Sequence, residues 1–283
     1  MNNQKKPIIL TSNHGNKSFL SDVRYDQNGQ RKPIVLFIHG FKGFKDWGYF
    51  DLMADHFSQA GFVFVKMNLS HNGTTPQSPL DFADLEAFGN NNFTIELDDI
   101  GLMLDHIGSD QFPVPKEELD TNKIFLMGHS RGGGISIIKA AEDSRVKKIV
   151  TLASVSTLTS VMPISDIIDT WKQEGVHFIF NSRTKQNMPL YYQLAEDYIA
   201  NEQRFNVMEC ESRSDIPHLI IHGDQDETVP LDSAIALEEI SGSAELFVIK
   251  GGNHVLGGSH PFPESQLPEH ALHAINKAIN FLG

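Results

Sequence analysis

A serine hydroxyl becomes a useful nucleophile when its backbone holds it clear of its neighbours and a base takes its proton. The stretch Gly128-His129-Ser130-Arg131-Gly132 meets the first condition. It follows the apolar run Lys123-Ile124-Phe125-Leu126-Met127 and precedes a segment of helical character from Ile135 to Glu142. On a sharp strand-to-helix turn, small residues two positions to either side of the serine let strand and helix approach closely. Gly128 and Gly132 supply that room, and Gly133 and Gly134 extend it. The competing reading is a glycine-rich turn that cradles a phosphate at a helix N-terminus. It falls behind because there is no Gly-Lys-Ser/Thr ending and no Gly-x-Gly-x-x-Gly after a strand.

A base and an acid must come from elsewhere in the chain. His222-Gly223-Asp224-Gln225-Asp226-Glu227-Thr228-Val229-Pro230 follows a strand candidate directly. Asp226 sits three residues after Gly223, in the loop where a carboxylate can accept a hydrogen bond from a histidine; Asp224 is the alternative acid, or a turn or helix-capping residue. Gly251-Gly252-Asn253-His254 puts His254 on a loop at the next strand end. Among 13 histidines the rival base is His260, which precedes Pro261 and lies farther from the strand. His39-Gly40-Phe41-Lys42-Gly43 comes directly after the run Pro33–Ile38, and its glycines permit a tight turn. Ser70-His71-Asn72-Gly73, after another strand, either lines a pocket or is a plain turn.

Short apolar runs alternating with helix-like stretches must position these groups. Strands are predicted at 33–38, 61–67, 123–127, 148–153, 218–221 and 245–249, with helical spacing near 47–60, at 93–107, at 135–142 and at 268–282. That rhythm belongs to an α/β fold with a mostly parallel central sheet and helices on both faces. Some sixty residues between Ser154 and about Ile216 break it, with helical patches such as 190–202 and aromatics including Trp171, Phe178, Phe180, Tyr191 and Tyr192. This is too long for an ordinary connection. The expectation is one domain over 1–283 carrying a small helical cap inserted at approximately 155–215.

The bulk properties narrow the partners. A formal net charge of −13 argues against nucleic acid or an anionic membrane surface, both of which need clustered Lys and Arg. Cys210 is the single cysteine, so an intrachain disulfide and a cysteine-based zinc cluster are excluded. Only Pro7 to Leu10 is apolar behind the first lysines, far short of a signal-peptide core, and no run approaches the roughly 20 residues that span a bilayer. The cytoplasm is the expected compartment.

His-Gly-Phe-x-Gly, Gly-His-Ser-x-Gly-Gly, Gly-x-x-Asp-x-x-Val-Pro and Gly-x-x-His stand here in the order and spacing of the α/β-hydrolase superfamily. From about Pro33 onward the chain resembles the branch holding dienelactone-hydrolase-like proteins, cinnamoyl and feruloyl esterases and serine-aminopeptidase-like lipases. The resemblance implies Ser130 as nucleophile, His254 as base, Asp226 as its orienting acid, and the backbone N–H groups of Phe41 and Arg131 as oxyanion donors. Dienelactone hydrolases themselves use a cysteine where this chain has Ser130. The implied activity is cleavage of a small-molecule carboxylic ester, with a hydroxycinnamoyl or other small to medium apolar acyl group, and without metal or organic cofactor. A peptidase, amidase or thioesterase would use the same residues, and a non-catalytic binding protein is the alternative of another class.

Overall fold

Runs that are apolar at nearly every position become parallel strands here because both of their faces are buried. The computed structural model describes residues 2–159 and 164–283. Its strands are β1 (Asn3–Thr11), β2 (Ser18–Asp26), β3 (Lys32–Ile38), β4 (Val63–Met67), β5 (Leu119–His129), β6 (Val146–Leu152), β7 (Val176–Asn181), β8 (Gln186–Tyr191), β9 (His218–Gly223) and β10 (Ala244–Ile249). The helices are α1 (Phe50–Gln59), α2 (Leu85–Gly89), α3 (Phe93–Ile107), α4 (Arg131–Glu142), α5 (Ile164–Glu174), α6 (Gln193–Ala200), α7 (Val207–Ser212), α8 (Leu231–Ile240) and α9 (Glu269–Leu282). The central sheet has the order β1-β2-β4-β3-β5-β6-β9-β10. From β4 to β10 every pairing is parallel, while β2 joins β4 and β1 joins β2 antiparallel.

Strand side chains alternate between faces, and the core divides accordingly. Ile34, Leu36 and Ile38 of β3 meet Ile100 and Leu104 of α3 and Ile135 and Ile138 of α4 on one face. Val35 and Phe37 meet Met53 and Phe57 of α1 and Ala274 and Ile275 of α9 on the other. Each fully buried Ile, Leu or Phe of these layers stabilises the fold by roughly 1.5–3 kcal/mol. The six predicted strands all form, within a few residues of their expected ends.

Two features of the sheet and its surroundings differ from the sequence expectation. The hairpin β1–β2 extends the sheet on one side, although β2 carries Ser21, Asp22 and Arg24 in buried positions. Pairing allows this: Asp22 meets Lys45, and Arg24 meets Asp51 and Asp55. Lys66, fully buried on β4, is likewise neutralised by Asp46 and Asp51. The second difference lies between β6 and β9. That segment contains α5, α6 and α7, of which α6 falls in the helical patch expected at 190–202, and also the antiparallel pair β7–β8, which forms a sheet of its own and takes residues 190 and 191 of that patch. Trp171 of α5 is buried and donates from Nε1 to the Leu190 carbonyl at 2.8 Å, tying helix to hairpin. Tyr191 donates to Glu86 of α2 at 2.6 Å, which ties the hairpin to the rest of the chain.

Candidate active site

In open α/β sheets, ligands bind beyond the carboxyl ends of the strands. Ser130 directly follows β5, Asp226 lies three residues after β9, His254 five after β10, and the 39–43 loop begins where β3 stops. These sequence-distant groups therefore share one edge of the sheet.

Ser130 has φ 56° and ψ −122°, a left-handed conformation that L-residues rarely adopt. Strain of this kind costs about 1–3 kcal/mol and persists only where the surroundings enforce it. Ser130 N–H donates to the Leu152 carbonyl at 2.9 Å, and Gly133 N–H donates to the Ser130 carbonyl at 2.9 Å, so β6 and the first turn of α4 both hold it. The glycines around it are forced by space. A Cβ at Gly128 would lie 2.2 Å from the Gly132 carbonyl oxygen, and one at Gly132 would lie 2.4 Å from that of His39.

Three of the expected residues converge. Ser130 Oγ is 3.1 Å from His254 Nε2, and His254 Nδ1 is 2.8 Å from Asp226 Oδ2. Asp226 Oδ1 accepts from the N–H groups of Thr228 and Val229, both at 2.9 Å, which fixes the carboxylate plane. His222 Nε2 stands 3.3 Å from Oδ2 as a further neighbour. Burial pushes the Asp226 carboxyl up, but hydrogen bonds from His222, His254 and Val229 N–H and the charge of His254 outweigh it. The net result holds it well below the usual carboxylate range. An anion there can orient an imidazole and stabilise its protonated form.

The alternatives have other tasks. Asp224 Oδ1 accepts from Gly251 N–H at 2.6 Å, joining the loops after β9 and β10. His260 Nδ1 accepts from Gly48 N–H at 3.0 Å, and its ring packs on Phe44 and Trp47. Of the Ser70–Gly73 turn, Asn72 matters here. Its Nδ2 donates to the Gly43 carbonyl and to His39 Nε2, both at 3.2 Å, while His39 Nδ1 donates to the Gly40 carbonyl at 2.9 Å. Those bonds, with Gly43 N–H on the Gly40 carbonyl at 3.0 Å, define the shape of the 39–43 loop. Gly40 lies against the serine, since a Cβ there would be 2.9 Å from Ser130 Cβ.

Three side chains gained roles that local sequence did not announce. The Arg131 guanidinium, buried, stacks 4.4 Å from the centroid of the Phe41 ring and pairs with Glu96 of α3. It thus joins the residue after Ser130 to the 39–43 loop. Glu96 carried one signal: it falls on the apolar stripe of its helix, between Phe93 and Ile100. His222, third, sits inside a buried strand and supports Asp226 from below.

Burial also sets two histidines. His39 is pulled down to about 4 by burial, with Arg131 adding to the effect and the Gly40 carbonyl opposing it. His129, which donates to the His254 carbonyl at 2.9 Å, is pulled down to about 3 by burial and by His254. In the unfolded chain both titrate near 6.5. Between that value and about 4 the unfolded chain binds more protons, so stability must decline as pH falls through this window. The urea midpoint is expected to drop between pH ~7 and ~4.5, and His129→Asn is expected to flatten the slope. A midpoint constant over that range would contradict the neutral, buried assignment.

Beside Ser130 lies a cavity of about 370 Å³, walled on its apolar side by Phe41, Trp47, Phe50 and Val255. Asn181, which ends β7, and Arg183, in the turn between β7 and β8, also line it. A larger open groove of about 670 Å³ near Cys210 contains none of the site residues.

The sequence profile of the BD-FAE family matches residues 22–240. Among solved structures, Est1E from Butyrivibrio proteoclasticus is similar at 18% identity over 96% of this chain and 95% of its own, with a TM-score of 0.65, and it has also been solved with ferulic acid bound. The esterase domain of a Rhodothermus marinus protein is similar at 16% identity, 99% and 100% coverage and a TM-score of 0.64. A dienelactone hydrolase from Anabaena variabilis is similar at 15% identity, 99% and 97% coverage and a TM-score of 0.64. No curated protein matches the chain in sequence. The profile spans most of the chain and the structural likeness covers nearly all of it, so this protein belongs to the BD-FAE family and has the α/β-hydrolase fold.

Proposed function

We propose that the protein is a serine hydrolase that cleaves carboxylic esters through a covalent acyl-enzyme. The observation that carries this reading is the continuous Ser130–His254–Asp226 hydrogen-bond chain, 3.1 and 2.8 Å, built on a strained strand-to-helix turn. Ser130 Oγ attacks the ester carbonyl as His254 Nε2 takes its proton. The same imidazolium protonates the leaving alcohol, then the neutral ring activates the water that releases the acid. Asp226 keeps the His254 proton on Nδ1 and stabilises the imidazolium. The N–H groups of Phe41 and Arg131 are assigned to the oxyanion, each worth about 10²–10³ in rate. The Gly40–Ser130 approach and the Arg131–Phe41 stack support that assignment.

The segment at approximately 155–215 is proposed as a cap, supported by Asn181 and Arg183 at the cavity wall. The apolar wall of the cavity of about 370 Å³, made by Phe41, Trp47, Phe50 and Val255, fits a hydroxycinnamoyl or other small to medium apolar acyl group, and the ferulic acid complex of Est1E is consistent with it. A reducing compartment, the cytoplasm, suits a chain with Cys210 as its single thiol.

A fluorophosphonate probe tests the reading. Stoichiometric labelling of Ser130, located by peptide mass spectrometry and blocked by an ester substrate, is the expected result. Absence of labelling, or labelling at another serine, would overturn it. A panel of esters varied in acyl and alcohol groups, run with matched anilides and thioesters, then ranks the leaving group.

A further inference from the structure

The chain carries 36 Asp and Glu residues, yet among the described residues none of them lines the cavity beside Ser130. Two cations do, Lys42 and Arg183. Lys45, Lys66 and Arg131, all buried, are neutralised, the first by Asp22 and Asp46, the second by Asp46 and Asp51 and the third by Glu96, whereas Lys42 is half-buried and Arg183 exposed. Lys42 and Arg183 have no carboxylate within ion-pair distance among the described residues, although Lys42 is partly buried. Burial alone draws the Lys42 ammonium below its ordinary range, with no compensating anion.

Arg183 is also held in place. Its guanidinium packs 5.4 Å from the Phe44 centroid and 5.6 Å from that of Phe82. Aromatic contacts occupy the faces of a guanidinium and leave its edge, which carries the N–H donors, free for a planar anion. Asn181, buried, accepts on Oδ1 from the main-chain N–H of Arg183 at 3.1 Å and so shapes the turn that presents it. His260 adds a third donor to the wall: Nδ1 accepts from Gly48 N–H, which puts the proton of the neutral ring on Nε2. A cavity rich in donors and without a carboxylate among its described lining residues suits a ligand that brings the anion itself. In a chain of net charge −13 such a patch also answers a local need, because the distant field repels anions and is screened beyond about 8 Å at physiological salt.

Building on the ester-hydrolase reading, we propose that the substrate is an ester that carries a carboxylate, bound by the Arg183 guanidinium edge with Lys42 beside it. The carboxylate sits on the acyl half or on the alcohol half, and paired substrates separate the two. On the acyl side the pair is 4-nitrophenyl hemisuccinate and 4-nitrophenyl butyrate. On the alcohol side it is 4-acetoxybenzoate and phenyl acetate. In at least one pair the anionic member is expected to show about tenfold higher kcat/KM, through a lower KM, the scale of a hydrogen-bonded charge. Raised salt should shrink that ratio.

Arg183→Met should bring the ratio close to one, and Arg183→Lys should keep part of it. A purely structural role would depress both members of a pair alike. Ser130→Ala provides a readout that needs no turnover: calorimetric binding of the stable succinyl and butyryl 4-nitroanilides, and of 4-acetamidobenzoate against acetanilide. If no ester is turned over but an anionic ligand still binds tighter in an Arg183-dependent way, the carboxylate site stands and the hydrolase reading fails. Equal or weaker handling of the anionic member in both pairs, by turnover and by binding, overturns the proposal.

Discussion

Ser130→Ala is expected to lower kcat on an activated ester by about 10⁴–10⁶, with little change in KM. On the proposed mechanism the loss follows from removing the atom that forms the acyl-enzyme, so that water must attack unaided within the same cavity. Residual acceleration would come from the oxyanion donors and from binding. The variant should fold, because the elbow is held by main-chain bonds that the substitution leaves in place, Ser130 N–H to the Leu152 carbonyl and Gly133 N–H to the Ser130 carbonyl. Alanine also keeps the same cost at φ 56°, whereas glycine would relieve it. Steady-state kinetics together with an unaltered near-ultraviolet dichroism spectrum decide the matter. A loss of less than tenfold in a folded sample would remove Ser130 from the mechanism.

The six parallel strands were legible as short apolar runs: β3, β4 and β9 are buried at nearly every position, and β10 at the sheet edge still keeps Leu246, Phe247, Val248 and Ile249 in one run. The hairpin β1–β2 was not. β1 is an edge strand on which only Ile8 is buried, and Ile9 is 61% exposed, so it shows almost no apolar pattern. β2 hides its burial behind Asp22 and Arg24, whose partners Lys45 and Asp51 lie more than twenty residues away. β7 and β8 escaped for a related reason: Phe178 and Phe180 face outward, and Pro189, a residue that argues against a strand in sequence, sits inside the second one. The site followed the same logic. Ser130, Asp226 and His254, which the structure brings together, each sit in a short motif just past a strand, so residue type and local context made them candidates. Glu96, His222 and Arg183 depend on side chains brought to them by the tertiary fold, and local sequence carries little of that information.

Asp226→Asn is expected to cost about 10⁴ in kcat near neutral pH while the fold persists. The carboxylate has two different sides. Oδ1 accepts from Thr228 and Val229 N–H, and Oδ2 faces His254 Nδ1 at 2.8 Å and His222 Nε2 at 3.3 Å. An asparagine must keep its carbonyl on the first side to satisfy the two main-chain donors, which turns its NH₂ toward the histidines. His254 Nδ1 then becomes the acceptor, and the ring proton moves to Nε2, facing Ser130 Oγ. In that tautomer the imidazole cannot take the serine proton. His222 Nε2 already donates to the Val229 carbonyl at 2.8 Å, so it meets the new NH₂ as donor against donor and offers no relief. The rate of fluorophosphonate labelling should fall in parallel with kcat, since both require a deprotonated Ser130. Asp224→Asn is the informative comparison. Its carboxylate is spent on Gly251 N–H, and turnover there should stay within a few-fold of the parent. The reverse ranking of the two variants would transfer the orienting role from Asp226 to Asp224.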